Sequence, residues 1–237
     1  IKETFHEEVK MLLLKTIDKV VEKRELSNLN KIWNIQVITP MKNTHLGTKA
    51  LNNILQARLN TIEGKQMYIK DALLKEYDKV IHLKNQTMKY LPKKTYDNLR
   101  ESGCSIKEAF EKASETRIYN GFIGLVYNLE KEEEFFTVRY YENNKDDFIV
   151  FYNLDDYGSI LDLAYALTIH KTQGGEFDYV FIPIVNAFYV MLNNKLMYTA
   201  LTRARQKAFV IGQPYAFKRA CTNVDVTLRF TWLKDFE

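Results

Sequence analysis

Cysteine is scarce. Cys104 and Cys221 lie far apart with no Cys-x-x-Cys spacing, which excludes a disulfide framework and fits a reducing cytoplasm. The four histidines (His6, His45, His82 and His170) show no metal-ligand spacing, so no metal site is expected. Nine glycines and four prolines among 237 residues exclude collagen-like and low-complexity chains. No apolar run reaches the ~18 residues of a membrane span, so no membrane partner is expected. A phosphate-cradling GxxxxGK[ST] loop is also missing. The one Gly-Lys pair, Gly64-Lys65, is followed by Gln66 and has Leu59 where the first glycine belongs. No Asp-Glu dipeptide occurs to serve as a metal ligand and base beside such a loop. The chain therefore cannot build a P-loop ATPase site by itself.

What remains is a chain able to bury a core, with 46% apolar and 13% aromatic residues. Thirty-four basic against 30 acidic residues give +4, which permits an anionic partner without demanding one. Ile1 opens the sequence in place of Met and leads straight into an amphipathic pattern, so the chain reads as an internal or processed piece.

Phe5, Val9, Leu13, Ile17 and Val20 recur at helical spacing, with Thr4 and Glu7 placed as a capping box. A short apolar run at 35–39 stops at Pro40, and Leu51, Leu55 and Leu59 mark a second helix. On that helix Asn52, Gln56 and Asn60 form an i, i+4, i+8 stripe, which reads as a solvated face. From about residue 72 to 157 the texture changes to short strand-like runs with turns at Asn120-Gly121 and Asn143-Asn144. That texture predicts a small antiparallel barrel, with 87–117 as an insertion. Beyond Gly158 nearly continuous apolar stretches at 160–169, 179–185 and 208–211 predict strands of a parallel sheet, with a helix through Leu192, Leu196, Ala200 and Ala204. The expectation is an α/β domain interrupted by a barrel.

Three places could carry chemistry. The loop from Thr168 through His170, Lys171, Thr172, Gln173, Gly174, Gly175 and Glu176 joins two buried strands, where open α/β sheets present ligand-binding loops. Its hydroxyls, imidazole, lysine and glycines suit a phosphate-rich ligand, nucleotide or nucleic-acid backbone; the alternative is a solvated capping loop. Arg203 and Arg205 follow the last core helix, where at helical spacing Arg203 falls beside Leu196 on the rim of the apolar arc. The alternative for such a cation is a helix-dipole contact with a structural carboxylate. In the loop at 40–47, Lys42, Asn43, Thr44 and His45 are available to an anion before a helix N-terminus.

These residues resemble the UvrD-like C-terminal motor half of superfamily 1 DNA helicases of the RecD/TraA type. Leu163-Ala164-Tyr165-Ala166-Leu167-Thr168-Ile169-His170-Lys171-Thr172-Gln173-Gly174-Gly175-Glu176-Phe177 is similar to helicase motif V (LAYAxTxHKSQGxEF), and Tyr198-Thr199-Ala200-Leu201-Thr202-Arg203-Ala204 to motif VI (YTALTRA). The resemblance implies a RecA-like parallel-sheet domain (1–73 and 158–237) interrupted by an SH3-like subdomain (74–157). It implies that Arg203 is an arginine finger, and that Gln173, Gly174 and Glu176 lie near the nucleotide. Thr168, His170 and Lys171, with Lys42, would meet single-stranded DNA. The implied whole is an ATP-dependent 5′–3′ helicase of DNA repair or recombination, acting on single strands and DNA junctions. ATP with Mg²⁺ would bind between this domain and an N-terminal RecA-like domain outside this sequence, and this chain alone would be inactive. A non-motor nucleic-acid adaptor, a subunit of a recombination nuclease and a conjugative relaxase are the competing readings.

Overall fold

The computed structural model describes residues 2–141, 146–172 and 174–224; the expected turn at Asn143-Asn144 lies outside them. Helix α1 (Lys2–Lys23) buries Val9, Leu13, Ile17 and Val20, the stripe its 3.6-residue period dictates. It begins at Lys2, so Thr4 lies within its first turn. A short helix α2 (Asn28–Asn34) is capped by the Ser27 hydroxyl, which accepts from Asn30 N, and leads into β1 (Ile35–Thr39), buried at every position. Helix α3 (Thr48–Leu59) follows, and its Arg58 guanidinium donates to the Asp18 carboxylate of α1 in an exposed ion pair.

The chain then leaves for a second layer of structure. Strands β2 (Gln66–Ile69) and β3 (Ala72–Lys75) form a separate hairpin. Next come β4 (Lys79–His82), β5 (Gln86–Pro92), α4 (Lys93–Glu101), α5 (Ile106–Glu111), β6 (Ser114–Ile118), β7 (Ile123–Asn128), β8 (Phe135–Tyr140), β9 (Phe148–Asn153) and β10 (Leu161–Leu163). Their strands make one antiparallel sheet in the order β10-β4-β7-β8-β9-β5-β6. The stretch at 87–117, expected as an insertion, is woven in. Its two strands pair with each other and β5 pairs with β9, while Tyr96 of α4 and Ile106 and Ala109 of α5 pack on Leu91, Ile149 and Phe151 as a small core of their own.

The chain returns with β11 (Ala166–Thr168), β12 (Phe177–Ile184), α6 (Asn194–Leu201), β13 (Ala204–Gly212) and α7 (Pro214–Thr222). Strands β11-β1-β12-β13 form an all-parallel sheet, so the molecule is mixed α/β with a parallel sheet at its centre.

The run at 160–169 is two strands instead of one. β10 pairs with β4 of the antiparallel sheet and β11 with β1 of the parallel one. The switch takes two residues: Ala164 N donates to Lys79 O (2.8 Å), and Tyr165 O accepts from Val37 N (3.0 Å). A crossing this abrupt leaves backbone groups unpaired, and buried backbone groups need partners. The α3 stripe supplies them. Asn52 Nδ2 donates to the carbonyls of Leu163 (3.1 Å) and Ala166 (3.2 Å), and its Oδ1 accepts from Ala166 N (2.7 Å). Gln56 donates to Leu73 O (2.9 Å) and the Asp78 carboxylate, and Asn60 to Glu76 O (2.9 Å) and Asp78 (2.8 Å). All three are buried. The stripe is thus not a solvated face; it holds the two sheets together.

Candidate nucleotide and nucleic-acid interface

Because β11 and β12 both run parallel to β1, residues 169–176 must carry the chain from the C-terminal edge of the sheet to its N-terminal edge. They do so through a 3-10 turn, Ile169–Thr172, whose Thr172 hydroxyl donates to Ile169 O (2.7 Å), followed by Gly174 at φ +85°. The loop splits the expected site residues into two groups.

At the C-terminal edge stand Thr168, His170, Lys171 and Lys42. Thr168 is nearly covered at the end of β11, His170 and Lys42 are exposed, and Lys171 is half-buried. Lys171 and Lys42 are close enough to affect each other. Burial pushes the Lys171 amine below its ordinary range, Asp162 pulls it back up, and Lys42 pushes it down again. Lys49 acts on Asp162 from the same side. The loop at 40–47 explains this convergence. Thr48 N donates to Met41 O (3.1 Å) and Lys49 N to Lys42 O (3.3 Å). Gly47 permits the closure, since a Cβ there would lie 2.4 Å from Lys42 O. These bonds occupy two of the amides at the helix N-terminus. The positive charge at this edge therefore belongs to lysine side chains. Lys49 escaped the sequence reading; the seven-residue spacing from Lys42, with a glycine between, is a signal only once the loop is known to close.

At the N-terminal edge stand Gly174, Glu176 and Arg203; Gln173 lies outside the described residues. Helix α6, capped by Asn193 Oδ1 on Leu196 N (2.8 Å), ends at Leu201. Arg203 follows its cap and Arg205 belongs to β13, so helical spacing past Leu201 does not place them. The two arginines differ in partner. Arg205 Nε meets Glu176 Oε2 at 3.1 Å, with both side chains exposed. Arg203, partly buried, meets only neutral oxygens among the described residues: Nε to Thr199 O (3.2 Å), Nη1 to Gly175 O (3.2 Å) and Nη2 to Thr202 Oγ1 (3.3 Å). A guanidinium held by three long contacts keeps its charge available to an anion. Motif VI thus delivers an arginine without a carboxylate partner among the described residues against the backbone of motif V, because Phe177 N donates to Arg203 O (2.9 Å) and fixes the two segments in register.

The loop at 163–177 and the segment at 198–204 are also where the chain is most like known proteins. Residues 163–211 match the family model of the UvrD-like helicase C-terminal domain. The helicase relatives extend the likeness over most of the chain. The ATP-dependent RecD2 DNA helicase of Deinococcus radiodurans is 32% identical over 187 residues, 78% of this chain and 21% of that protein. The RecBCD enzyme subunit RecD of Buchnera aphidicola subsp. Schizaphis graminum is 23% identical over 202 residues, 84% of this chain and 28% of the subunit. In sequence the chain is similar to the C-terminal region of RecD-type helicases, and it spans about a fifth of the length of the RecD2 helicase it matches. Among solved structures, Bacteroides Pif1 bound to single-stranded DNA covers 86% of this chain and 48% of its own at 18% identity, with a TM-score of 0.39.

No group of three His, Cys, Asp or Glu that could hold a metal occurs among the described residues, and no helix there is long and apolar enough to cross a membrane.

Proposed function

We propose that this chain is the second motor domain of an ATP-dependent 5′–3′ DNA helicase of the RecD type, serving DNA repair or recombination. Residues 1–73 and 158–237 form its RecA-like part. Residues 74–157, elaborated at 87–117, stand where that family carries an SH3-like subdomain. The observation that carries the reading is the contrast between Arg203, which among the described residues meets only neutral oxygens, and Arg205, which is paired with Glu176. Arg203 fits a nucleotide phosphate held by an N-terminal RecA-like domain supplied from outside this sequence, where ATP with Mg²⁺ binds. A finger of this kind is worth roughly 10³ to 10⁵ in rate. Gln173, Gly174 and Glu176 lie on the nucleotide side. Thr168, His170, Lys171 and Lys42 form the single-stranded DNA side, and the motif V loop connects the two as the domains move.

The test uses a longer protein that carries this chain together with a P-loop domain. Arg203→Ala lowers DNA-stimulated ATP turnover by at least a thousandfold while nucleotide binding is kept, and Arg205→Ala changes turnover by no more than a few fold. Near wild-type turnover in the Arg203 variant removes the finger role. Polarity is read from strand displacement on partial duplexes with a 5′ or a 3′ tail.

A further inference from the structure

Hairpin β2-β3 is a sheet of two strands, and the proposed function leaves it unused. Its register fixes which backbone groups are already satisfied. Gln66 lies opposite Lys75, and Glu76 N donates to Lys65 O (2.9 Å), so the hydrogen-bonded pairs are Lys65 with Glu76, Met67 with Leu74 and Ile69 with Ala72. The N–H and C=O groups of Gln66 and Tyr68 alternate with these and point away from β3. Among the described residues no hydrogen bond reaches them. The Met67 and Ile69 side chains are buried, whereas the Gln66 and Tyr68 side chains are exposed.

A groove runs beside this open edge. Two clefts, of about 540 and 510 Å³, share Gln66, Met67 and Lys131 in their walls, so they form one trough along β2. The far wall is Leu129 and Lys131, in the turn after β7, with Leu154 and Asp155 after β9. The Glu76 carboxylate accepts from Lys65 N (3.0 Å) and Leu129 N (3.2 Å), which fixes the spacing of the walls. Farther along, side chains span the gap: Lys65 pairs with Glu130 at 3.4 Å and Lys70 with Asp155 at 3.6 Å, each through an exposed lysine. Exposed pairs of this kind contribute little and swing aside at small cost.

Three features select the occupant. Donors and acceptors alternate along the edge at strand spacing, which the backbone of another strand matches. Lys65, Lys70 and Lys131 in the trough are balanced by Glu130, Glu132 and Asp155, so a phosphate backbone finds no net attraction there. Leu73, Leu129 and Leu154 supply apolar wall for every second side chain of an added strand. We propose that the outer edge of β2 binds an extended segment of a partner protein, added to the hairpin as a third strand with apolar residues at alternate positions. From Lys65 to Lys70 the edge spans about 20 Å, room for five or six residues.

The probe is a library of random octapeptides displayed on phage and selected on the 237-residue chain. Enriched peptides are expected to alternate apolar with polar residues. A synthetic copy at about ten times its Kd should slow amide exchange at Gln66 and Tyr68 about tenfold, while Met67 and Ile69, already bonded to β3, keep their rates. Gln66→Pro removes one outward N–H at the first position of an edge strand, where proline is tolerated, and should weaken the peptide about 3- to 10-fold; Gln66→Ala should not. A peptide N-methylated at the amides that face β2 keeps every side chain and should bind about 10- to 100-fold more weakly, a comparison that needs no variant of the protein to fold. Failure of the library to enrich, equal binding of the N-methylated peptide, or slowed exchange away from β2 overturns the proposal. Displacement of the peptide by a thymidylate oligomer of matching affinity overturns it in favour of a nucleic-acid groove.

Discussion

Asp78 is a carboxylate buried without a cation among the described residues. It accepts from Asn60 Nδ2, Lys75 N and Tyr165 OH, each at 2.8 Å, and from Gln56 Nε2. Burial pushes its carboxyl above the ordinary range, and these four donors oppose the shift. Every incoming group is a donor, so Asp78→Asn turns an amide NH₂ toward another N–H or O–H. The expected loss is roughly 2–4 kcal/mol, measured by urea denaturation; a change within about 0.5 kcal/mol would refute the network. Its neighbour Lys79 donates to Trp33 O (3.0 Å) and Ile35 O (3.1 Å), and burial pushes its amine down to about 7. Between that value and the ordinary 10.5 the unfolded chain holds one more proton than the folded one, so stability rises with pH across this window. From pH 7 to 9 the wild type should gain roughly 2 kcal/mol relative to Lys79→Met. Parallel denaturation curves at the two pH values would show that Lys79 does not titrate there.

At the scale of elements, α3 carries the lesson about what a pattern can say. The spacing of Asn52, Gln56 and Asn60 was legible as a stripe. Its environment was not, because the backbone it satisfies at Leu163 and Ala166 lies more than a hundred residues along the chain. Asn52→Ala separates the two environments by sign. On a solvated helix face it would stabilise by about 0.5 kcal/mol through helix propensity. At a buried joint it should cost about 2–3 kcal/mol and speed amide exchange at Ala166, whose N–H loses Asn52 Oδ1. The switch at Ala164-Tyr165 escaped detection for the same reason: an apolar run looks alike whether one sheet or two receive it.

For the whole molecule, the proposed function requires a partner domain across a cleft. The 237-residue chain by itself should therefore show no DNA-stimulated ATP hydrolysis, and should bind single-stranded DNA weakly with a steep salt dependence. Robust turnover from this chain would sink the assignment of nucleotide chemistry to a shared site. The two halves of that assignment differ in how they came to light. Motifs V and VI stand in the sequence with their order and spacing, and the family match falls on them. The division of motif V residues between opposite edges of one sheet follows only from the parallel pairing of β11, β1 and β12.

Helices α1 and α3, the strand at 35–39, the return to α/β texture after Gly158 and the two motifs were written in local period and residue order, which short stretches of chain determine alone. The tertiary structure decided the burial of the α3 stripe, the weaving of 87–117 into the sheet, the convergence of Lys42, Lys49 and Lys171, and the pairing of Arg205 instead of Arg203 with Glu176. Each depends on where a distant backbone leaves a polar group or a charge unmatched, and local periodicity carries no record of that.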